Sequence, residues 1–286
     1  MGDWETGSRR PLNIAHRGAS AIAPANTLAA FEKAVELGAD GIELDAHLSA
    51  DGVPVVIHDF TVDATTNGSG RVAEMTLAQL RQLDAGFRCD PAYAGEHIPT
   101  LEEVLQAFGD RLLLNIELKS TGLRDDGLER AVIALVEQYT LQGRVLLSSF
   151  NPFSLRRAKK IAPGISVGLL YAPNLPLPLS RAWLAPLFPH EARHPEHTMV
   201  DAHYMEWARR CRYQVNAWTV DDPGEMRRLV ALGVNGIITN VPDVLRRILT
   251  LPEEHTPPAS APQRPARSAQ NAASGSPAAR WANPRR

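Results

Sequence analysis

Short apolar runs alternate with amphipathic stretches along most of the chain, a pattern that predicts repeated βα units feeding a parallel sheet. Strands are expected at 12–16 (LNIAH), 41–45 (GIELD), 112–118 (LLLNIEL), 144–149 (RVLLSS), 165–170 (ISVGLL), 198–202 (TMVDA), 214–219 (QVNAWT) and 236–239 (GIIT). Helical periodicity is expected between them at 26–37, 100–108, 124–138, 152–161, 203–211, 222–232 and 242–249. The first helix opens after Pro24 with Asn26 as its cap, and the second with a capping box of Thr100 and Glu103. Eight strands with helices between them imply an α/β chain folded as a (β/α)8 TIM barrel over residues 12–250.

One segment departs from the strict alternation. After Asp45 the chain runs through His47 and Ser49 to Asp51-Gly52, a hairpin-turn dipeptide, and returns through Val53, Val55, Val56 and Ile57. A parallel partner would need a crossover of a dozen or more residues, for which there is no room. A hairpin is therefore predicted, and pairing about its turn brings His58 back opposite Asp45. Residues 59–99 are too long for a simple loop and carry a helix candidate at 76–83. They read as a small insertion placed to cover the barrel mouth.

With 286 residues and 44% hydrophobic content, the chain can bury a full barrel core. A formal net charge of −2 offers no basic field for nucleic acid. Cys89 and Cys211 lie far apart without metal-ligand spacing, which argues against a disulfide framework and fits a reducing compartment. The N-terminus lacks the apolar stretch of a signal peptide, no run approaches the length of a membrane span, and a cytoplasmic location follows. From about residue 252 the composition turns to Pro, Ala, Ser, Asn and Arg, as in a disordered tail over 252–286.

The chemistry-bearing residues fall at the ends of the expected strands. In an extended strand Glu43 and Asp45 project to the same face, with Cα atoms about 6–7 Å apart, while Ile42 and Leu44 face the other way. Two carboxylates side by side repel unless a cation lies between them. His16-Arg17 ends the first strand, Glu117 and Lys119 end the third, Ser148-Ser149 end the fourth, Trp218 ends the seventh and Asn240 follows the eighth. In a barrel all of them converge on one rim. Glu43, Asp45 and Glu117 would supply hard oxygen ligands suited to a divalent cation, Mg2+ or Ca2+. A simple pairing of Glu117 with Lys119 is the alternative for that one carboxylate. His16 and His58 titrate near neutral pH, so that one can accept a proton while the other donates one. Arg17 and Lys119 are donors suited to phosphate. Asn216 and Trp218 share a strand face and could contact the alcohol portion of a substrate, although Trp218 could equally fill the barrel interior. Together these groups describe a site that binds a phosphodiester and exchanges its ester oxygens.

The same residues resemble the glycerophosphodiester phosphodiesterase family, whose barrel and histidine-plus-carboxylate layout are shared with the phosphatidylinositol-specific phospholipases C. The matching pieces are His16-Arg17-Gly18 with Pro24, Asn26-Thr27 and Phe31, then GIELDAHLSADGVPVVIHD, TTNGSGRV at 65–72, NIELK at 115–119, SSF at 148–150, NAWTV at 216–220 and GIITNVPD at 236–243. They occur in order across nearly all of residues 12–249. The resemblance implies Glu43, Asp45 and Glu117 as metal ligands, His16 and His58 as the catalytic pair, and Arg17 and Lys119 as phosphate partners. It further implies hydrolysis of a small-molecule glycerophosphodiester to glycerol 3-phosphate and an alcohol, with one histidine as general base and the other as general acid. Ala25 stands where the family commonly has Glu, and Ala64 where it commonly has Arg. A lysophospholipase D or sphingomyelinase D-like activity on lysolipids is the nearest alternative. A glycoside hydrolase built on Glu43 and Glu117 would leave the histidines and Lys119 without roles, and a non-catalytic phosphate-binding protein would not need them.

Overall fold

A computed structural model of the chain describes Trp4, residues 10–120, 122–175, Ser180 and residues 188–250. The tail expected over 252–286 lies outside the described residues. Eight parallel strands close into a barrel: β1 (Leu12–His16), β2 (Gly41–Leu48), β4 (Leu113–Leu118), β5 (Val145–Ser149), β6 (Ser166–Tyr171), β7 (Ala192–Pro195), β8 (Gln214–Ala217) and β9 (Gly236–Thr239). Closure comes from β1, which pairs with β9 on one side and β2 on the other. A ninth strand, β3 (Pro54–Val56), runs antiparallel to the end of β2 as the hairpin arm.

Helices α1 (Leu28–Glu36), α3 (Leu101–Phe108), α4 (Leu128–Gln138), α5 (Pro152–Ile161), α6 (Ala202–Arg210), α7 (Pro223–Leu232) and α8 (Pro242–Thr250) follow strands, and the short α2 (Leu77–Leu80) belongs to the insertion. Their apolar stripes explain the layering. Phe31, Val104, Phe108, Val132 and Val136 pack on the outward side chains of β2 and β4, such as Leu44, Leu114 and Ile116, in the largest core cluster. Met205, Met226, Leu229 and Leu245 do the same over β8 and β9. Inside the barrel Ile14, Leu113, Leu146, Ala192 and Ile238 form a separate core with Trp4. The Trp4 indole donates to the Arg144 carbonyl at 2.9 Å, just before β5, and so plugs the end remote from the strand C-termini. Among the described residues no helix is long and apolar enough to cross a membrane.

Three expectations need correction. The sixth expected strand, 198–202, is not a strand: His197–Met199 is a 3-10 turn and Asp201 caps α6, its side chain accepting from the Tyr204 amide. The barrel instead uses Ala192–Pro195, whose Arg193 and His194 break the apolar pattern while its small Ala192 and buried His194 face inward. Asn26 does not cap α1. Thr27 does, through its hydroxyl and the Ala30 amide, while Asn26 sits at φ 62° and turns its amide to Asp45. Finally, the hairpin register pairs Ala46 with Val56, and the Ile57 amide donates to the Asp45 carbonyl, so Ile57 rather than His58 lies opposite Asp45. The chain leaves the ladder at that point, which is what lets the His58 ring turn into the barrel mouth.

The insertion carries a small core of its own, in which Val62, Val72, Leu80 and Ile98 pack on Val55 and Ile57 of the hairpin arm. The turn after β1 is just as tightly determined. Gly18 has φ 84°, and a Cβ there would meet the Ala30 backbone at 2.6 Å. Gly18→Ala is therefore expected to cost about 2–4 kcal/mol, from a left-handed backbone and a backbone collision together. The midpoint of a urea unfolding curve measures this, and an unchanged midpoint would refute it.

Candidate active site

The barrel register assembles the site. His16 lies beside Glu43, Glu43 beside Asn115, and Asp45 beside Glu117, which in turn lies beside Ser148. Alternation along each strand turns these side chains inward. Oxygen atoms of Glu43, Asp45 and Glu117 all come within 4.8 Å of one another, and all three residues are buried.

Two cations face three carboxylates. Lys119 Nζ is 3.0 Å from Glu117 Oε1 and 3.4 Å from Asp45 Oδ1, and Arg17 Nε is 3.2 Å from Asp45 Oδ2. The Asn26 amide donates to Asp45 Oδ2 at 2.8 Å. Burial opposes ionisation of Asp45, but Lys119 and Arg17 outweigh it and hold its pKa below the ordinary range. Burial likewise opposes the charge on Lys119, and Asp45 and Glu117 more than restore it. Glu43 has no such partner. Its side chain accepts from the Arg17 backbone amide at 3.2 Å, and burial with repulsion from Asp45 and Glu117 drives its pKa well above the usual carboxylate range. Burial and Asp45 also push Glu117 up to about 7.

This excess of negative charge tests the fit of a cation. Three hard oxygen donors converge, one of them (Asp45 Oδ1) is buried without a hydrogen bond, and the protein's own cations leave one carboxylate uncompensated. Such a donor set suits Mg2+ or Ca2+ and offers zinc no thiolate or imidazole cluster.

The histidines are held by different partners. His16 Nδ1 lies 2.7 Å from Asn240 Oδ1, and the amide cannot be turned round because Asn240 Nδ2 donates to Asp221 Oδ2 at 2.6 Å. A carboxylate only accepts, so Asn240 presents its oxygen to the ring, His16 carries its proton on Nδ1, and Nε2 is left with a lone pair. The Asn240 backbone amide and the Thr239 hydroxyl fasten the other Asp221 oxygen. Burial, with help from Arg17, pushes the His16 pKa down to about 4. His58 Nδ1 is instead 2.6 Å from the Asp59 carboxylate. Burial lowers its pKa against the opposing pull of Asp45.

A cavity of about 130 Å3 is lined on its polar part by His16, Arg17, Glu43, His58, Asn115 and Glu117, and on its apolar part by Phe150, Leu170, Trp218 and Ile238. The Phe150 and Trp218 rings meet edge to face with centroids 5.6 Å apart. The Trp218 indole N–H is committed to the His194 carbonyl at 2.7 Å. Asn216 is not brought to this cavity. It is buried deeper in the barrel, its Nδ2 3.0 Å from His194 Nε2. Sequence reasoning gave no role to Asp59, Asp221 or Asn115, brought Asn240 to the rim without a task, and took Asn26 for a helix cap. The His58-Asp59 dipeptide was a readable signal, whereas Asp221 and Asn240 stand nineteen residues apart and only the turn geometry joins them. Both side-chain atoms of Asn115 are buried beside the cavity without a hydrogen-bond partner.

Comparison with known proteins agrees over most of the chain. Residues 16–244 match the model of the glycerophosphoryl diester phosphodiesterase family. A glycerophosphodiester phosphodiesterase of Caldanaerobacter subterraneus subsp. tengcongensis is 44% identical over 237 residues, covering 82% of this chain and 96% of its own length. Among solved structures, a phosphodiesterase from Oleispira antarctica in complex with the product sn-glycerol-3-phosphate superposes with a TM-score of 0.71 at 33% identity, covering 83% of this chain and 96% of the other. A glycerophosphodiester phosphodiesterase from Agrobacterium tumefaciens gives a TM-score of 0.70 at 30% identity, with 82% and 98% covered.

Proposed function

The chain belongs to the glycerophosphoryl diester phosphodiesterase family, and from that premise we propose that it hydrolyses glycerophosphodiesters to sn-glycerol 3-phosphate and an alcohol. The observation that carries the reading is one cavity in which two histidines, each with Nδ1 committed, face a buried cluster of three carboxylates. Glu43, Asp45 and Glu117 are the residues that would hold Mg2+ or Ca2+. Such an ion supplies positive charge against the phosphoryl oxygens when bound.

The remaining work falls to side chains whose partners fix their roles. Arg17 reaches the cavity with its guanidinium braced on Asp45, and it binds a non-bridging phosphoryl oxygen. Lys119 pairs with both Asp45 and Glu117, which keeps Asp45 ionised for a cation and opposes the protonation of Glu117 that burial favours. His16, held by a neutral amide, keeps an unprotonated Nε2 and accepts a proton of the attacking water as its oxygen bonds to phosphorus. Burial lowers the His58 pKa in the free protein, but the Asp59 carboxylate opposes that shift and a bound phosphodiester anion adds to the opposition, so that the ring can carry an imidazolium with substrate in place. It donates from Nε2 to the leaving alcohol. Trp218 and Phe150 provide an apolar wall for the carbon skeleton of the substrate. Asn216 acts on this reading by orienting His194 beneath Trp218 rather than by touching substrate.

The test is release of glycerol 3-phosphate from glycerophosphocholine, glycerophosphoethanolamine and glycerophosphoglycerol. The assay uses metal-stripped protein, then the same protein with Mg2+ or Ca2+ restored. Turnover that returns only with the cation is expected. Full turnover without it would refute the role given to the carboxylates. Headgroup release from lysolipids with none from the three diesters would replace the substrate class.

A further inference from the structure

Outside the barrel a second cavity, of about 520 Å3, is lined by Tyr171, Arg193, Met199, Tyr204 and Trp207 among others. It stands back to back with the catalytic cavity, because Leu170 of β6 lines the inner one and Tyr171, the next residue, lines the outer one. The feature that singles it out is Arg193 on β7. Its exposure is only 4%, its Nε is buried without a hydrogen-bond partner, and among the described residues it pairs with no carboxylate. The two acids flanking it in sequence are engaged elsewhere: Glu191 lies 2.7 Å from Lys159 and Glu196 lies 3.3 Å from His197.

A guanidinium stays charged in any protein setting, so burying one without a counter-ion is costly. Here it is held by rings instead. Its central carbon is 4.7 Å from the Tyr213 centroid, 5.1 Å from Trp207 and 5.8 Å from Tyr171. Cation–π contacts act through the faces of the rings and recover part of that cost. The Tyr171 hydroxyl alone among these rings accepts from the guanidinium, and Nε is left without a partner, so the edge still asks for a planar or tetrahedral oxyanion. The walls around that edge are aromatic and thioether surface, which suits an apolar body attached to the anion.

We propose that this outer cavity is a binding site for a small amphipathic organic anion, its carboxylate or phosphate group on Arg193 and its apolar part against Tyr171, Met199, Tyr204 and Trp207. The site is separate from the one that carries the phosphodiesterase reading and does not depend on it.

Isothermal titration of the full chain with 1-naphthoate, 1-naphthyl phosphate and the neutral 1-naphthalenemethanol tests the proposal. One-to-one binding is expected, at least tenfold tighter for an anion than for the alcohol, and the two anions rank carboxylate against phosphate. Arg193→Met keeps the aliphatic bulk and should abolish the tenfold preference. Thr198→Trp, at an exposed position on the cavity lining, leaves Arg193 in place and should block binding even if the arginine variant does not fold. Saturating glycerol 3-phosphate should not displace the ligand. Displacement by glycerol 3-phosphate, equal affinity for the alcohol, unaltered binding in both variants, or no binding of any of the three compounds would each overturn the assignment.

Discussion

His58→Ala is expected to lower kcat/KM for glycerophosphocholine by roughly 10^3-fold, and by far less for a diester that leaves as nitrophenolate. General acid–base contributions of about 10^2 to 10^4 are typical of a positioned imidazole. An alcohol expelled as alkoxide needs a proton from the enzyme, whereas nitrophenolate leaves without one, so removing the acid matters only for the first substrate. His16→Ala should lower both rates alike, since both reactions begin by deprotonating the nucleophile. The contrast follows from the partners of the two rings, a neutral amide for His16 and a carboxylate for His58. Steady-state kinetics on the two substrates decides it. The reverse pattern would exchange the roles, and equal losses in both variants on both substrates would remove the acid/base assignment altogether.

Much of this site could be read along the chain because barrels convert sequence order into geometry. A strand that ends in a polar residue presents it at the mouth whatever the details of its helix, so His16, Glu43, Asp45 and Glu117 needed only the strand pattern to be placed together. What pattern could not supply was set by contacts distant in sequence. Residues 192–195 read poorly as a strand because their inward positions are Ala192 and His194, and only pairing with β6 and β8 extends them. Met199 and Val200 mimicked a strand because they are apolar for another reason, packing against the helical layer. Asn26 looked like a cap because Asn is a good one, but with Thr27 beside it the capping is done by the threonine and Asn26 is free to hold Asp45. The Asp221–Asn240 pair that orients His16 carries no local signature at all.

The carboxylate cluster of the metal-free protein should cost stability as pH rises from about 4.5 through 7, against the gain that buried histidines such as His16, held near 4, contribute over much of the same range. Burial and Asp45 place the Glu117 pKa at about 7 in the folded state, above its ordinary 4.5. Between those values the folded state keeps a proton that the unfolded chain has released, so folding binds protons and stability falls with increasing pH. The loss from Glu117 is on the order of 3 kcal/mol and is complete above its folded pKa. Glu43, raised for the same causes and lacking a cationic partner, adds to the fall in the same direction. A divalent cation removes the repulsion, so Mg2+ or Ca2+ should flatten the profile and raise the unfolding midpoint at pH 8 far more than at pH 5. Glu43→Gln should do part of this without any ion, raising the midpoint of the chelated protein at pH 8, while cutting turnover by about 10^3-fold or more through loss of a ligand. Urea unfolding at the two pH values, with chelator and with cation, measures both effects on the same protein. A wild-type midpoint at pH 8 that no divalent cation raises, with Glu43→Gln less stable than the chelated wild type at that pH, would mean that the three carboxylates are satisfied within the fold and hold no cation.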